Sequence, residues 1–207
     1  MKSNTFDTVM NERHSVRKYD ASFSLAAEEI TALLEDAAKA PSSWNLQHWK
    51  FLVFHDQQVK EQLLPIAYNQ EQVVEASAVI AILGDLEADT NADRVYQEAV
   101  DNGFMTDEVK TTLVAQIKSA YASRPEMARD EAIRNGSLAA MQLMLAAKAK
   151  GLDTCAMGGF NAETLVSTFN IPSRYLPVML ISVGKAAKPA HGTARFPIQE
   201  AIVWNQF

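Results

Sequence analysis

Ala40-Pro41-Ser42-Ser43-Trp44-Asn45-Leu46-Gln47-His48-Trp49 stands between a helix pattern and a strand pattern. Before it, Ile30, Leu33, Leu34, Ala37 and Ala38 recur at helical spacing. Pro41 has no backbone N–H to donate and disfavours helix at Ala40, so the helix is expected to stop there. After it, Trp49-Lys50-Phe51-Leu52-Val53-Phe54 reads as a strand. The loop between them carries two hydroxyls, two side-chain amides and two tryptophans, and no charge apart from His48 when protonated. Such a set suits a flat, largely apolar ligand with polar edges. It also suits a polar turn whose tryptophans cap the core, and the loop alone does not choose.

Working outward, Phe6, Val9 and Met10 predict a first short helix that ends in Arg13-His14-Ser15-Val16-Arg17-Lys18-Tyr19. Arginine's rigid fork suits a phosphate or a carbonyl edge, while the alternative is a solvated basic turn. Ser24 is expected to cap the next helix, with Glu28 and Glu29 favourable in its first turn. Downstream of the strand, Val59, Leu63 and Leu64 give a short helix that Pro65 is expected to interrupt, and Tyr68-Asn69-Gln70 forms a polar patch. Ala78 to Gly84 reads as a strand buried on both faces. Pro125 is expected to open a long helix that Gly151 closes. From Ser137 to Ala147 that helix is apolar nearly all round, which predicts burial.

Gly151 to Phe160 reads as a short strand ending in paired glycines, with Asn161 as the cap of a following helix. Tyr175 to Val183 is a second largely buried strand. The tail from Lys185 has Pro189 and Pro197 and little periodicity, as expected of an arm that wraps a surface. No repeat, linker or low-complexity tract divides the chain. The expectation is one α+β domain over 1–207, with an excursion at about 85–124 and a C-terminal arm at about 185–207.

Charge and cysteine content narrow the function classes. The 207 residues carry a net charge of −6, which disfavours a broad nucleic-acid surface. Eight acidic and two basic residues between Asp85 and Lys110 account for the whole excess. Asp85, Glu87 and Asp89 are placed as in a calcium loop, but Thr90 stands where such a loop needs glycine and Tyr96 where it needs glutamate. Cys155 is the one cysteine, so no intrachain disulfide exists, and its apolar setting predicts an inert core thiol. No run is long enough to span a bilayer and the N-terminus lacks a signal-peptide core, so a cytoplasmic protein is expected.

Self-sufficient catalysis finds little support. There is no Gly-x-Gly-x-x-Gly, no phosphate-loop Gly-Lys-Ser/Thr and no Gly-x-Ser-x-Gly elbow. His14, His48, His55 and His191 lack paired metal spacing, so no metal is expected. Neutral polar groups, a few arginines, a Gly-Gly turn and aromatics remain. That set suits holding a cofactor that carries its own chemistry.

Taken together, these segments resemble the nitroreductase family of FMN-dependent, NAD(P)H-using oxidoreductases, nearly end to end. Arg13-His14-Ser15-Val16-Arg17 resembles the family's N-terminal motif, and Pro41-Ser42-Ser43-Trp44-Asn45-Leu46-Gln47-His48-Trp49 its Pro-Ser-x-x-Asn-x-Gln-Pro-Trp loop. Asn69, Met157-Gly158-Gly159-Phe160 and Arg195 before Phe196-Pro197 resemble the remaining flavin-contacting positions. Three residues depart: His48 replaces a proline, Gly158 an acidic residue and Thr193 a lysine.

The resemblance implies a nitroreductase-like fold: a central mixed or antiparallel sheet flanked by helices, a long buried helix, and a C-terminal arm swapped onto a partner subunit. It implies a homodimer with two shared sites. Arg13, His14, Ser15 and Arg195 would serve the phosphate end of FMN. Arg17 and Asn69 would meet the pyrimidine edge, and Met157, Gly158 and Gly159 the N5 side. Pro41, Ser42, Ser43, Trp44, Asn45 and Gln47 would hold the other face from the second subunit. NAD(P)H would give hydride to the flavin, which carries the chemistry without a catalytic side chain. A nitroaromatic, quinone or similar small acceptor would follow by a ping-pong route. Phe104 and Tyr121 are the candidate acceptor contacts. A flavin-dependent dehalogenase or oxidase of the same fold, or a non-enzymatic FMN-binding dimer, are the competing readings.

Overall fold

The computed structural model describes residues 5–207. In chain order the elements are α1 (Phe6–Glu12), α2 (Ala27–Ala37), β1 (Trp49–Phe54), α3 (Gln57–Ile66), α4 (Gln72–Glu75), β2 (Ala78–Asp85), α5 (Ala92–Asp101), α6 (Asp107–Ser123), α7 (Met127–Ala149), β3 (Asp153–Met157), α8 (Ala162–Thr168) and β4 (Tyr175–Gly184). The four strands form one sheet in the order β1-β2-β4-β3, and every neighbouring pair is antiparallel.

β2 is central and buried along its whole length. Its alternation divides the core in two, because successive side chains leave opposite faces of a strand. Ala78, Ile80 and Ile82 pack with α2 and α7 residues such as Ile30, Leu33, Ala140 and Leu143. Val79, Ala81 and Leu83 pack with Leu63, Ile66 and Leu165 of α3 and α8. Helices therefore cover both faces, and the sequence of β2 is apolar without alternation for that reason.

α7 crosses β2 closely. A Cβ placed on Gly84 would lie 2.7 Å from the Ala132 carbonyl oxygen, and one on Gly136 would lie 3.3 Å from Val178. Helix and sheet approach at that distance only because both positions are glycine. The expectation that α7 is buried all round holds for one face. Ala132, Gly136, Ala139, Ala140, Leu143 and Ala147 are buried, while Leu138 and Met141 are 42% and 39% exposed.

Three local expectations shift. α2 starts beyond Ser24 with Ala26 at the cap, whose N–H donates to the Glu29 carboxylate at 2.8 Å. Pro65 sits in the last turn of α3, where it ends the helix rather than interrupting it. Pro125 precedes α7 by two residues. Asn161 caps α8 as expected, its side chain accepting from the Thr164 N–H at 2.9 Å. α5 and α6 lie between β2 and α7 and form a small cluster of their own with Leu46, Ala88 and Ala92. The arm beyond β4 leaves Phe196 and Trp204 more than 80% exposed. No helix among the described residues is long and apolar enough to cross a membrane.

Candidate functional site

The basic segment Arg13–Arg17 runs along the free edge of β3. Ser15 bridges Thr154 in parallel, and the Val16 N–H donates to the Thr154 carbonyl at 3.0 Å. Extended backbone alternates its side chains, so Val16 is buried while Arg13, Ser15 and Arg17 share the other side. Among the described residues no carboxylate pairs with Arg13 or Arg17. His14 departs from this group. With Val16, Lys148, Asp153 and Ala186–Ala190 it lines a cleft of about 620 Å³ behind the segment.

Lys18 fixes the segment's far end by pairing with Glu71 and, at 3.2 Å, with Glu75, while the Tyr19 N–H donates to Glu75 at 3.2 Å. These bonds draw the α3–α4 corner up to the basic segment. Tyr68 and Asn69 in that corner both adopt left-handed backbone, φ 53° and 56°. Asparagine tolerates this conformation; for tyrosine it is strained. Both side chains are exposed.

The Met157–Phe160 turn lies against the same corner. Gln70 Nε2 donates to the Gly159 carbonyl at 2.8 Å, and the Asn161 N–H donates to the Ile66 carbonyl at 2.9 Å. Gly158 and Gly159 are exposed, and a Cβ on Gly158 would meet nothing within 4 Å. Neither glycine N–H has an acceptor among the described residues. Met157 is buried, its sulfur 3.3 Å from Gln72 Nε2. Beneath the segment Cys155 is 1% exposed, and burial pushes its thiol pKa up. Arg13, Ser15 and Arg17 thus line the outer edge of β3, and Asn69 and the glycine turn lie beyond the end of that strand.

The loop Pro41–His48 lies elsewhere. Trp49 at the start of β1 pairs with Gly84, which pairs with Leu176, whereas Met157 at the end of β3 pairs with Leu180. Loop and glycine turn are therefore at the same end of the sheet but on its opposite edges, which normal strand spacing sets about 14 Å apart across the sheet. Trp44, Asn45 and Gln47 are all left-handed, φ 52°, 55° and 55°. Buried groups of α7 hold them there. Ser43 Oγ donates to Glu131 at 2.5 Å, and the Ser43 N–H donates to Asn135 Oδ1 at 2.9 Å. Ser42 Oγ accepts from the Gln47 N–H at 3.0 Å, and Tyr96 donates to the Trp44 carbonyl at 3.2 Å. Ser43's hydroxyl is thus turned inward.

Comparison with known proteins fixes the family. The model of the nitroreductase family matches residues 10–185. The chain belongs to the nitroreductase family. It is 56% identical over 202 residues to YodC of Bacillus subtilis (strain 168), named provisionally as an NAD(P)H nitroreductase, covering 98% of this chain and 99% of that one. It is 32% identical over 198 residues to the CLA biosynthesis enone reductase of Lactiplantibacillus plantarum, covering 94% and 91%. A crystal structure of a provisionally classed nitroreductase in complex with FMN, from Exiguobacterium sibiricum 255-15, aligns with a TM-score of 0.93 and 38% identity over 99% of both chains.

Against this nitroreductase scaffold the remaining candidates separate. Arg195 lies on the exposed arm and donates to the Ala194 carbonyl. Phe104 is 81% exposed at the end of α5. Tyr121 is half-buried in α6 and shares a 2.8 Å hydrogen bond with His48 Nε2, so its hydroxyl is engaged inside the protein. His48 is fully buried, its Nδ1 unpartnered, and burial lowers its pKa despite Glu131, Asp85 and Asp89 nearby. The sequence assigned no role to Gln70, Gln72, Glu131 or Asn135. Gln70 stood only within a polar patch, and Glu131 and Asn135 fall in the polar first half of α7 beside Arg129, Asp130 and Arg134, where nothing marks them as buried.

Proposed function

We infer that this chain is an FMN-dependent oxidoreductase that passes hydride from NAD(P)H to nitroaromatic, quinone or similar acceptors. The observation that carries this reading is the open Gly158–Gly159 turn, whose two N–H groups have no acceptor among the described residues, at the end of the strand edge along which Arg13 and Arg17 run without a carboxylate partner among those residues. Donors without acceptors at an exposed corner fit a ligand that is rich in acceptors and anionic at one end. The FMN complex of a structural relative over 99% of both chains supports the same choice.

Bound FMN supplies the hydride chemistry. Arg13 and Ser15 would hold its phosphate, with Arg195 folding in from the arm. Arg17 and Asn69 would meet the pyrimidine edge, where a cation favours the negative charge that reduction brings. Gly158 and Gly159 would present their N–H groups to the ring edge. With one open face, donor and acceptor would use the site in turn, giving parallel double-reciprocal lines.

The active unit in this reading is a cytoplasmic homodimer. One protomer presents the loop and the glycine turn on opposite sheet edges, so a second copy would bring its Ser42–Gln47 loop over the first copy's corner. Exposed Leu138 and Met141 of α7, Phe6 and Met10 of α1, and Phe196, Trp204 and Phe207 of the arm offer the apolar surface for such a partner. The segment at about 85–124 would form the lid, with Phe104 reaching the acceptor.

The test is flavin content followed by reduction. Purified protein is expected to bind FMN and be bleached by NADH or NADPH, with the electrons recovered in a nitroaromatic, quinone or enone. Protein that stays colourless after FMN addition refutes the reading. FMN that binds but resists both nicotinamides leaves the non-enzymatic flavoprotein. Light scattering on the FMN-loaded protein tests the dimer, and a fully active monomer refutes it.

A further inference from the structure

We propose that Gln70 is a positioning residue that fixes the two glycine amides toward the flavin, an inference that rests on the flavin reading above. Its side chain is locked at both ends. Nε2 donates to the Ala67 carbonyl at 3.0 Å and to the Gly159 carbonyl at 2.8 Å, while Oε1 accepts from Gln72 Nε2 at 3.1 Å. Gln72 is 5% exposed, and the same nitrogen lies 3.3 Å from Met157 Sδ. The two amides form a chain from the buried side of α4 to the turn, with one possible sense of donation.

The consequence for the turn follows from counting its polar groups. The Gly159 carbonyl is engaged by Gln70, and the Gly158 carbonyl accepts from the Phe160 N–H at 3.2 Å. The Asn161 N–H is engaged by Ile66. Among the described residues the N–H groups of Gly158 and Gly159 have no acceptor, and they belong to the exposed part of the turn. Paired glycines have wide backbone freedom. Without a tie on the Gly159 carbonyl the turn samples other orientations, and the amides lose their common direction. Asn69 sits next to Gln70, so one side chain couples the two segments that flank the ring. Methionine at position 70 has a similar length and no charge, but it has no donor for the two carbonyls.

A donor pair facing the ring nitrogen favours oxidised flavin, in which that nitrogen accepts, over reduced flavin, in which it carries hydrogen. Disorienting the pair therefore weakens oxidised FMN more than reduced FMN, and the midpoint potential rises. A merely structural loss would weaken both forms alike. The experiment measures the dissociation constant of oxidised FMN and the midpoint potential of bound FMN in the parent, Gln70→Ala and Gln70→Met. Gln70→Met roughly preserves volume, adds no charge and keeps the test open should Gln70→Ala fail to fold. The expected result is oxidised FMN at least tenfold weaker and a potential raised by about 30 mV, the equivalent of tenfold for a two-electron couple. An unshifted potential in the folded variants, with or without lost affinity, overturns the proposal. A parent protein that takes up no FMN overturns the flavin reading itself, and the positioning role with it.

Discussion

Replacing Glu131 with glutamine should loosen the Ser42–Gln47 loop in a way that can be calculated. The loop holds Trp44 and Gln47 in left-handed backbone, and each costs about 1–2 kcal/mol relative to ordinary regions. The carboxylate opposes that cost. It accepts from Ser43 Oγ at 2.5 Å, from Asn135 Nδ2 at 2.9 Å and from Arg134. Bonds to a charged acceptor contribute about 1.5–3 kcal/mol, and neutral ones about 1 kcal/mol. In Glu131→Gln the amide oxygen can keep Ser43 and Asn135, each at the lower value, while the new NH2 repels the Arg134 guanidinium. Arg134 is largely exposed and can swing away. The net loss is about 2 kcal/mol, which for a chain of this length lowers Tm by about 4–8 °C. FMN must then reorder the loop, so its dissociation constant should rise about tenfold. A pH series adds a sign. Burial raises the Glu131 pKa, but the Ser43 and Asn135 hydrogen bonds and Arg134 outweigh it and hold the carboxyl below its ordinary value. Its stabilisation is thus complete above the ordinary glutamate range and lost as pH falls through the folded value. The Tm gap between parent and variant should be full at pH 7 and should close as pH falls below about 4. Calorimetry and flavin titration read both quantities. A Glu131→Gln protein that melts within about 1 °C of the parent at pH 7 refutes the claim that this carboxylate holds the loop.

Leu143→Ala should cost about 2–5 kcal/mol in a denaturant melt, because Leu143 is fully buried between α7 and the sheet. His48 should make the protein less stable as pH falls from 7 to 5: burial depresses its folded pKa, so the unfolded chain takes up the proton first, near about 6.5. His48→Gln should flatten that slope, as read by melts across the range. Phe104→Ala should alter acceptor preference in steady-state kinetics while leaving FMN affinity within about twofold, because an 81% exposed ring contributes little to packing.

The legible parts of this molecule are those where one residue type forces one outcome. Ala78–Gly84 could be assigned to a doubly covered strand because its seven residues offer no polar side. Asn161 could be assigned as a cap because its side chain can supply the acceptor that a first helical turn lacks. The segment carrying Arg13, Ser15 and Arg17 was visible as a basic stretch after the first helix, but its bridge to Thr154 was not, since a single bridge leaves no periodic trace. Ser24 misled because a competing carboxylate, Glu29, reaches the cap position two residues later. Tyr121 pointed to a ligand by being aromatic and polar in an acidic segment. Its actual partner, His48, lies 73 residues away, and no local pattern connects them.

Strain explains why the loops were easier to find than their supports. Trp44-Asn45-Gln47 and Tyr68-Asn69 place five non-glycine residues in left-handed backbone, at opposite edges of one sheet. Each cluster persists only because neighbouring structure over-determines it. Behind the first stand Glu131 and Asn135 of α7; behind the second stand Gln70 and the buried Gln72 of α4. In the first case a carboxylate and an amide reach out of a helix to tie down a hydroxyl and an N–H of the loop. In the second, Gln70, between α3 and α4, ties down the Ala67 carbonyl and is itself held by Gln72 of α4. The exposed side chains announce a ligand, whereas their supports look like ordinary polar residues. A change at a support should therefore leave the helix intact and move the loop, which separates these four residues from the apolar core around them.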